Sequence, residues 1–303
     1  MPALINTPIS AEIGFGVPAS ELPAEKVAQY LERFDADDQV PTRLTRIPLY
    51  NLRAELDAGA LASPLEQLDE RGYAAVKHES AHVGVDKLAT VEGTNAYTAE
   101  AAELFKNVLG ASKVIVWNSV VRMAGGKKDI AQTIQKKVEE NKPPADNVKA
   151  TAGAAHVDQD DSYARTIIKR AAGDDAFERY TRCQIVNLWR PLRGPVTNKP
   201  LVVSDFRTMD VEKDILRMAG SYGSAYSVSY SPNQRWSYIS HQQPNEAFFL
   251  RCYDSNMGAN GEALYTGHVA AEEVYDEPVL PELVGKLIEP RMSVEVRLVV
   301  LHE

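Results

Sequence analysis

The 303-residue sequence predicts an α+β protein with a jelly-roll core and flanking helices. From residue 154 onward, short strand-like segments follow one another between turn signals, a pattern typical of a jelly roll. The first third instead alternates helix-like and strand-like segments. Neither GxGxxG nor GxxxxGKS/T occurs, which argues against the common nucleotide-binding loops. We therefore expect helices outside one sheet of a jelly roll, not a doubly wound sheet.

Helical spacing and β-branched runs define the elements of the first third. The apolar stripe of residues 97–109 is the clearest helical pattern, and Gly110 supplies its stop. The run KVIVWNSVVRM at 113–123 is typical of a buried strand. In this part, helices are predicted at 23–34, 61–70 and 97–109, and strands at 73–77 and 113–123.

The second half is predicted to be rich in strands. Residues 124–153, which precede it, are polar, charged and interrupted by prolines, and they lack a convincing core face. A lid, a partner-binding arm and a solvated excursion all fit that composition. Beyond them, strands are predicted at 154–158, 182–192, 201–206, 225–231, 235–240, 246–254, 264–270 and 293–302, and helices at 162–172 and 211–218.

Composition and charge limit the classes of function. Hydrophobic residues make up 44% and charged residues 25%, as in ordinary globular proteins. The net charge of −9 and the lack of basic runs argue against nucleic-acid binding. No long apolar run predicts a membrane span, and the N-terminus lacks a secretory signal pattern. Because only Cys183 and Cys252 are present, we expect no disulfide framework and a reducing, cytoplasmic location.

The first candidate site is the motif AAHVDQD at 154–160. His156 and Asp158 are two residues apart on a predicted strand, so their side chains point to the same face. An imidazole and a carboxylate on one face can bind one divalent metal. A second histidine would complete the facial triad of non-haem Fe(II) oxygenases. The alternative is a strand end that carries two polar residues at the surface.

The chain has six histidines, so candidates for a third ligand are few. His268 lies in a strand-like segment, and a rigid strand favours it as a ligand. His241 precedes a polar turn and is the competing candidate. His78, His82 and His302 are expected to be solvated or frayed.

The second candidate feature is the segment EPRMSVEVRLVV at 289–300. Arg291, Ser293, Glu295 and Arg297 share one strand parity. A guanidinium on the metal-facing side can bind a carboxylate through two hydrogen bonds. The alternative is an edge strand with a charged outer face, on which Glu295 pairs with an arginine.

Together these motifs resemble the AsaB-type hydroxylase/desaturase family, also called the gibberellin-desaturase-like family, of non-haem Fe(II)/2-oxoglutarate-dependent oxygenases. The resemblance runs from about Gly72 to Leu301, and its most distinctive blocks are NLWRPLRGPV at 187–196 and CYDS at 252–255. It implies a double-stranded β-helix and a single oxygenase domain over 1–303. That domain would contain an N-terminal α/β elaboration (1–123), a lid (124–153) and a jelly-roll core with the iron site (154–303).

The resemblance also implies roles for single residues. His156, Asp158 and His268 match the family's ligands to Fe(II). Arg291, aided by Ser293, matches the arginine that would bind the far carboxylate of 2-oxoglutarate. Further candidates are Asn187 and Arg190 for the co-substrate or substrate, Arg297 as an alternative carboxylate clamp, and Arg122, Trp189 and Tyr238 for the substrate.

The implied reaction uses Fe(II), 2-oxoglutarate and O2 to oxidise an unactivated C–H bond of a small molecule. The resemblance is equally compatible with hydroxylation, desaturation and oxidative cyclisation. It implies that the reaction belongs to secondary metabolism. Arg122, Arg190 and Arg297 point to an amino or carboxylic acid as substrate. Two alternatives stay open: a zinc hydrolase with the same ligands and Asp160 or Glu295 as base, and a metal-free jelly-roll binding protein.

Overall fold

The computed structural model describes residues 8–32, 40–124, 148–220, 223–256, 262–285 and 289–303. Two β-sheets pack against each other, and helices cover part of them. The helices are α1 Ala24–Glu32, α2 Arg53–Ala58, α3 Pro64–Arg71, α4 Val91–Leu109, α5 Asp161–Ala172 and α6 Ala176–Arg179. The strands are β1 Ser10–Gly16, β2 Thr42–Asn51, β3 Tyr73–Lys77, β4 Lys113–Met123, β5 Lys149–Ala150, β6 His156–Val157, β7 Arg182–Pro191, β8 Leu201–Ser204, β9 Ile215–Gly220, β10 Gly223–Val228, β11 Trp236–Tyr238, β12 Glu246–Asp254, β13 His268–Ala270, β14 Glu273–Tyr275 and β15 Met292–His302.

The larger sheet has nine strands in the order β14-β1-β2-β11-β8-β13-β6-β10-β9. It curls on itself, because β1 also meets the far part of the sheet through single bridges from Gly14 to Ala154 and from Gly16 to Ser229. Glycine at position 14 permits this approach, since a Cβ there would lie 2.3 Å from the Gly153 carbonyl oxygen. One buried apolar cluster joins both parts of the curl, and it includes Phe15, Val157, Val202, Trp236 and Val269.

The smaller sheet has six strands in the order β3-β12-β7-β15-β4-β5, and only its β4–β5 pair is parallel. Its outer face packs against α3 and α4, whose Leu68 and Phe105 contact alternate residues of the sheet. The Phe105 and Phe249 ring centroids are 4.4 Å apart. Because side chains alternate along each strand, the residues between these contacts point inward, toward the larger sheet.

Helix α5 fills the inner side of the smaller sheet at one end. Its Ile167 and Ile168 belong to the same buried cluster as Ile185 of β7 and Val299 of β15. The helix starts directly after β6, because the Asp160 side chain caps it by accepting the backbone N–H of Tyr163. The end of β6 is therefore anchored by a helix whose apolar face is buried.

The predicted α+β class and the jelly-roll core are confirmed, and most elements lie where the sequence places them. The helix predicted at 211–218 is wrong, because residues 215–220 form β9, which pairs with β10. That backbone pairing outweighs the local helical pattern. In the segment predicted as a strand at 264–270, only His268–Ala270 is a strand. Strands β1 and β2 and helix α2 were not predicted. The residues of β2 are mostly exposed, so β2 shows little hydrophobic alternation.

The first third of the chain contributes directly to both sheets. Strands β1 and β2 join the larger sheet, and β3 and β4 join the smaller one. The lid predicted at 124–153 falls mostly on residues 125–147, which lie outside the described residues. Among the helices that are described, none is long and apolar enough to cross a membrane.

Candidate active site

His156, Asp158 and His268 lie together on the inner side of the larger sheet. His156 begins β6 and His268 begins β13, and these two residues are direct partners in the antiparallel pairing. Their ring centroids are 4.5 Å apart. The Asp158 carboxylate lies 3.5 Å from His156 Nε2 and 3.8 Å from His268 Nε2. All three side chains offer a ligand atom within 4.8 Å of the others, which is the arrangement that a divalent metal requires.

Both imidazoles are held in the tautomer that binds a metal through Nε2. His156 Nδ1 lies 2.8 Å from the Ala154 carbonyl oxygen, and His268 Nδ1 lies 3.3 Å from the Thr266 carbonyl oxygen. A carbonyl only accepts, so each Nδ1 donates and each Nε2 keeps its lone pair. Burial and the neighbouring His156 lower the pKa of His268 to about 4. The His268 imidazole is therefore neutral at physiological pH, as a metal ligand must be.

Asp158 is oriented by two residues of the smaller sheet. Asn187 of β7 donates its side-chain N–H to Asp158 Oδ2 at 2.7 Å, and Arg297 of β15 donates to Oδ1 at 3.3 Å. Burial alone opposes ionisation of this carboxyl, but Arg297 and the two histidines hold its pKa well below the ordinary value. The Asp158 side chain is thus an anionic carboxylate. Arg297 also pairs with Glu295 at 2.6 Å.

A cavity of about 290 Å³ lies beside the three ligands. It is bounded on one side by the larger sheet and on the other by β4, β7 and β15. The smaller sheet contributes Arg122 of β4, Trp189 of β7 and Glu295 of β15. Arg291 directly precedes β15. The residues that line the cavity are Arg122, Ala152, His156, Trp189, Leu201, His268, Val269, Ala270, Arg291 and Glu295.

Arg291 is the buried cation of this cavity that lacks a carboxylate partner among the described residues. It is 3% exposed, and its guanidinium carbon lies 5.4 Å from the centroid of the Trp189 ring. One guanidinium nitrogen donates to the Lys199 carbonyl oxygen, whereas Nε has no partner. Burial and the nearby Arg122 lower the pKa of Arg291 to about 9, so the side chain stays charged at neutral pH.

Two further polar atoms near the cavity are buried without a partner in the described structure. They are the Ser293 hydroxyl oxygen and the side-chain oxygen Oδ1 of Asn187. A buried unsatisfied polar group costs about 1–3 kcal/mol, so such atoms mark places where a ligand or a water completes the hydrogen bonding. The Ser293 hydroxyl and the Arg291 guanidinium can each donate a hydrogen bond to an anion, whereas Asn187 Oδ1 can only accept one.

The structure does not bring every predicted site residue to this cavity. Arg190 points to the opposite face of β7, where it donates to the carbonyl oxygens of His78 and Pro244. The alternation of side chains along a strand explains the difference. The side chains of Asn187 and Trp189 point inward, so that of Arg190 points outward. Tyr238 lies in the cluster inside the curled sheet, and its hydroxyl bonds Glu277 at 3.0 Å.

The remaining histidines have other partners. His241 lies near Glu277, with 3.9 Å between Nε2 and the carboxylate, and is not part of the metal cluster. His78 and His302 are not simply solvated or frayed, as the sequence suggested. His78 Nδ1 lies 2.8 Å from Arg190, and His302 Nε2 lies 3.0 Å from the Gln184 side-chain oxygen.

Lys149 is a cation near the site that the sequence did not indicate. It lies on β5 directly beside Arg122 of β4. Its position within a polar, charged segment offered no periodicity from which its orientation could be predicted.

Comparison with known proteins finds a matching family model and several relatives. A family model described as an oxidoreductase/YMDC permease-like domain matches residues 53–301. The hydroxylase/desaturase asaB of Aspergillus flavus is 40% identical over 92 residues, covering 25% of this chain and 40% of that protein. The hydroxylase/desaturase efuI of Hormonema carpetanum is 28% identical over 232 residues, covering 69% of this chain and 73% of that protein.

A solved structure supports the fold independently. The iron and alpha-ketoglutarate-dependent endoperoxidase NvfI superposes with a TM-score of 0.67 and 21% sequence identity, covering 97% of each chain. That likeness shows a shared architecture over nearly the whole chain. The family model over residues 53–301 and the relatives asaB and efuI give the family: the chain belongs to the AsaB-type hydroxylase/desaturase family of Fe(II)/2-oxoglutarate-dependent oxygenases.

Proposed function

We propose that this protein is an Fe(II)/2-oxoglutarate-dependent oxygenase that oxidises an unactivated C–H bond of a small molecule. One observation carries the proposal. The two histidines of a His-Asp-His cluster line the same cavity as a buried arginine that has no carboxylate partner among the described residues. The first binds a divalent metal, and the second suits a carboxylate, so together they fit a metal-chelating dicarboxylate such as 2-oxoglutarate.

The donor set fits iron. His156, Asp158 and His268 supply two neutral nitrogens and one anionic oxygen, the facial set that leaves coordination positions open. When bound there, Fe(II) supplies the oxidation of a C–H bond by O2, coupled to conversion of 2-oxoglutarate to succinate and carbon dioxide. Asn187 and Arg297 orient Asp158, and the Ala154 and Thr266 carbonyls orient the two imidazoles.

The far carboxylate of 2-oxoglutarate would bind Arg291, with the Ser293 hydroxyl as a second donor. Both groups are buried and have unused hydrogen-bonding capacity. Arg297 is the weaker candidate for this role, because Glu295 and Asp158 already neutralise it. Trp189 forms an apolar wall under the Arg291 guanidinium.

Neither carboxylate considered as a base for the zinc hydrolase is free in the described structure. Asp160 caps α5 and pairs with Arg217, and Glu295 pairs with Arg297. Both are therefore occupied by other groups of the protein. The geometry therefore favours the oxygenase.

Succinate formation tests the proposal. Anaerobically purified protein is loaded with Fe(II) and 2-oxoglutarate, exposed to O2 in the presence of a panel of small molecules, and assayed for succinate. The wild-type protein is expected to form succinate, and His156→Ala to lose most iron affinity and activity. No succinate above the His156→Ala background contradicts the proposal. Turnover of esters or amides without O2 or 2-oxoglutarate would support the zinc hydrolase.

Binding of 2-oxoglutarate tests the assignment of Arg291. Calorimetry on Ni(II)-loaded protein is expected to show a Kd raised roughly ten- to a hundredfold in Arg291→Gln, as for the loss of a charge-assisted hydrogen bond. Arg193→Gln is the matched control, because Arg193 lies nearby but pairs with Glu289 outside this cavity. If the Kd for 2-oxoglutarate is unchanged in Arg291→Gln, the arginine that binds its far carboxylate is Arg297 instead.

The choice among hydroxylation, desaturation and cyclisation remains a prediction, as do the cytoplasmic location and an amino or carboxylic acid as substrate. The relatives carry names of both hydroxylases and desaturases. Mass spectrometry separates hydroxylation, which adds an oxygen atom, from desaturation and oxidative cyclisation, which both remove two hydrogens. NMR spectroscopy of the product then distinguishes a new double bond from a new ring.

A further inference from the structure

Two cations besides Arg291 lie at one side of the cavity. Arg122 of β4 lines the cavity, and Lys149 of β5 is its direct partner in the parallel β4–β5 pairing. Residues paired across neighbouring strands point to the same face of a sheet. Since Arg122 faces the cavity, Lys149 faces the same side.

Neither side chain has a carboxylate partner in the described part of the chain. One Arg122 nitrogen donates to the Ala150 carbonyl oxygen at 3.0 Å, and no described acid lies within ion-pair distance of either residue. Burial, then the charges of Arg122 and Arg297, lower the pKa of Lys149 to about 8. Two half-buried cations side by side are unfavourable unless something anionic compensates them.

The charges around the cavity also do not balance. Among the described residues, the cations Arg122, Lys149, Arg291 and Arg297 face the two carboxylates of Asp158 and Glu295, which leaves a surplus of two positive charges in this part of the structure. Fe(II) would add two positive charges and 2-oxoglutarate two negative charges, so the surplus would persist in the loaded enzyme. The whole chain has a net charge of −9, so this local excess is opposite to the overall charge.

We infer that Arg122 and Lys149 form a second anion-binding site in the cavity, separate from Arg291, and that the substrate carries a carboxylate which binds there. This inference rests on the proposed oxygenase function and narrows its substrate class to carboxylic acids. A carboxylate at Arg122 and Lys149 would accept hydrogen bonds from both cations. It would hold the rest of the substrate beside the ligands His156 and His268, which line the same cavity.

Small carboxylates with neutral counterparts of the same shape test the inference. The probes are benzoate against benzamide and phenylacetate against phenylacetamide, titrated by calorimetry into Ni(II)-loaded protein saturated with 2-oxoglutarate. At least one carboxylate is expected to bind roughly tenfold more tightly than its amide, because hydrogen bonds from cations to a charged acceptor are stronger than those to a neutral one. Equal binding of acid and amide, or no saturable binding of either acid, overturns the inference.

Substitution of the two cations locates the site. In the double variant Arg122→Gln/Lys149→Met, the affinity for the carboxylate probe is expected to fall roughly ten- to a hundredfold. The affinity for 2-oxoglutarate should stay within roughly threefold of wild type. Lys113→Met is the matched control, because Lys113 is exposed at the start of the same strand β4. Circular dichroism and Ni(II) affinity check that the double variant is folded.

The outcomes separate this inference from the proposed function. If wild-type protein binds 2-oxoglutarate and forms succinate but the double variant retains its affinity for the carboxylate probe, only the second anion site is wrong. If the double variant loses 2-oxoglutarate affinity as strongly as Arg291→Gln, Arg122 and Lys149 belong to the co-substrate site instead. If wild-type protein neither binds 2-oxoglutarate nor forms succinate, the proposed function itself fails.

Discussion

Two regions of the cavity differ in whether their cations have carboxylate partners among the described residues. In the paired region, Arg297 contacts Glu295 and Asp158, and Asn187 completes the bonding of Asp158. In the unpaired region, formed by Arg291, Arg122 and Lys149, the guanidinium and ammonium groups have no described carboxylate partner.

The difference corresponds to two roles, which are the orientation of a metal ligand and the binding of an anion. A buried ion pair with satisfied hydrogen bonds holds a metal ligand in one orientation. Buried cations without partners cost stability in the empty protein and are compensated only when an anion binds. We therefore expect substitutions in the paired region to destabilise the protein, and substitutions in the unpaired region to affect ligand binding.

The largest expected effect comes from comparing the free energy of unfolding of the variants Arg297→Gln and Arg291→Gln. Arg297→Gln leaves Asp158 and Glu295 buried without a cation, so the free energy of unfolding is expected to fall by about 3–5 kcal/mol. Arg291→Gln removes a cation that has no carboxylate partner among the described residues, so it should cost less than about 1 kcal/mol. Urea denaturation of the metal-free proteins measures both. Equal losses would show that the two regions do not differ in charge compensation.

The pH dependence of the free energy of unfolding tests whether His268 is buried in its neutral form. Because burial lowers the pKa of His268 from 6.5 to about 4, the folded protein binds fewer protons than the unfolded chain between these values. The free energy of unfolding of the metal-free protein should therefore fall as pH drops from about 6.5 to about 4, by up to about 3 kcal/mol from this residue. His268→Asn should lose this part of the dependence. A variant with the wild-type profile would contradict the assignment.

Asn187 tests whether the paired region acts on the metal. Asn187→Ala removes the hydrogen bond to Asp158 and should weaken Ni(II) binding by about 10–100-fold, as for other groups that orient a ligand. Gln184→Ala is the control, because Gln184 is a buried amide on the same strand that bonds Asp254 instead. If both variants weaken metal binding equally, the effect is one of general stability.

The smallest expected effect lies in the unpaired region. Lys149→Met removes a half-buried cation beside Arg122 and should stabilise the ligand-free protein by about 1 kcal/mol, after allowance for solvent screening. Lys113→Met, on the exposed end of β4, should change stability by less than about 0.5 kcal/mol. Thermal and urea denaturation compare the two. A clear loss of stability in Lys149→Met would show that Lys149 is already compensated.

Much of the site followed from the sequence because strands have a period of two. That period placed His156 with Asp158, and Arg291 with Ser293, Glu295 and Arg297, on shared faces. The same rule could have separated Arg190 from Asn187, since an odd spacing along one strand puts two residues on opposite faces. The helix predicted at 211–218 failed for a different reason, because the competing strand pairing involves residues distant in sequence.

By itself the sequence determined the fold class, most elements, the family and the candidate ligands, because these depend on local periodicity and on short motifs. Only the tertiary structure decided which charges meet. The pairing of Arg297 with Asp158 joins residues 139 positions apart, and the pairing of Arg122 with Lys149 depends on the register of two strands. Charge compensation depends on distances across the cavity and on burial. Composition and spacing along the chain do not contain those distances.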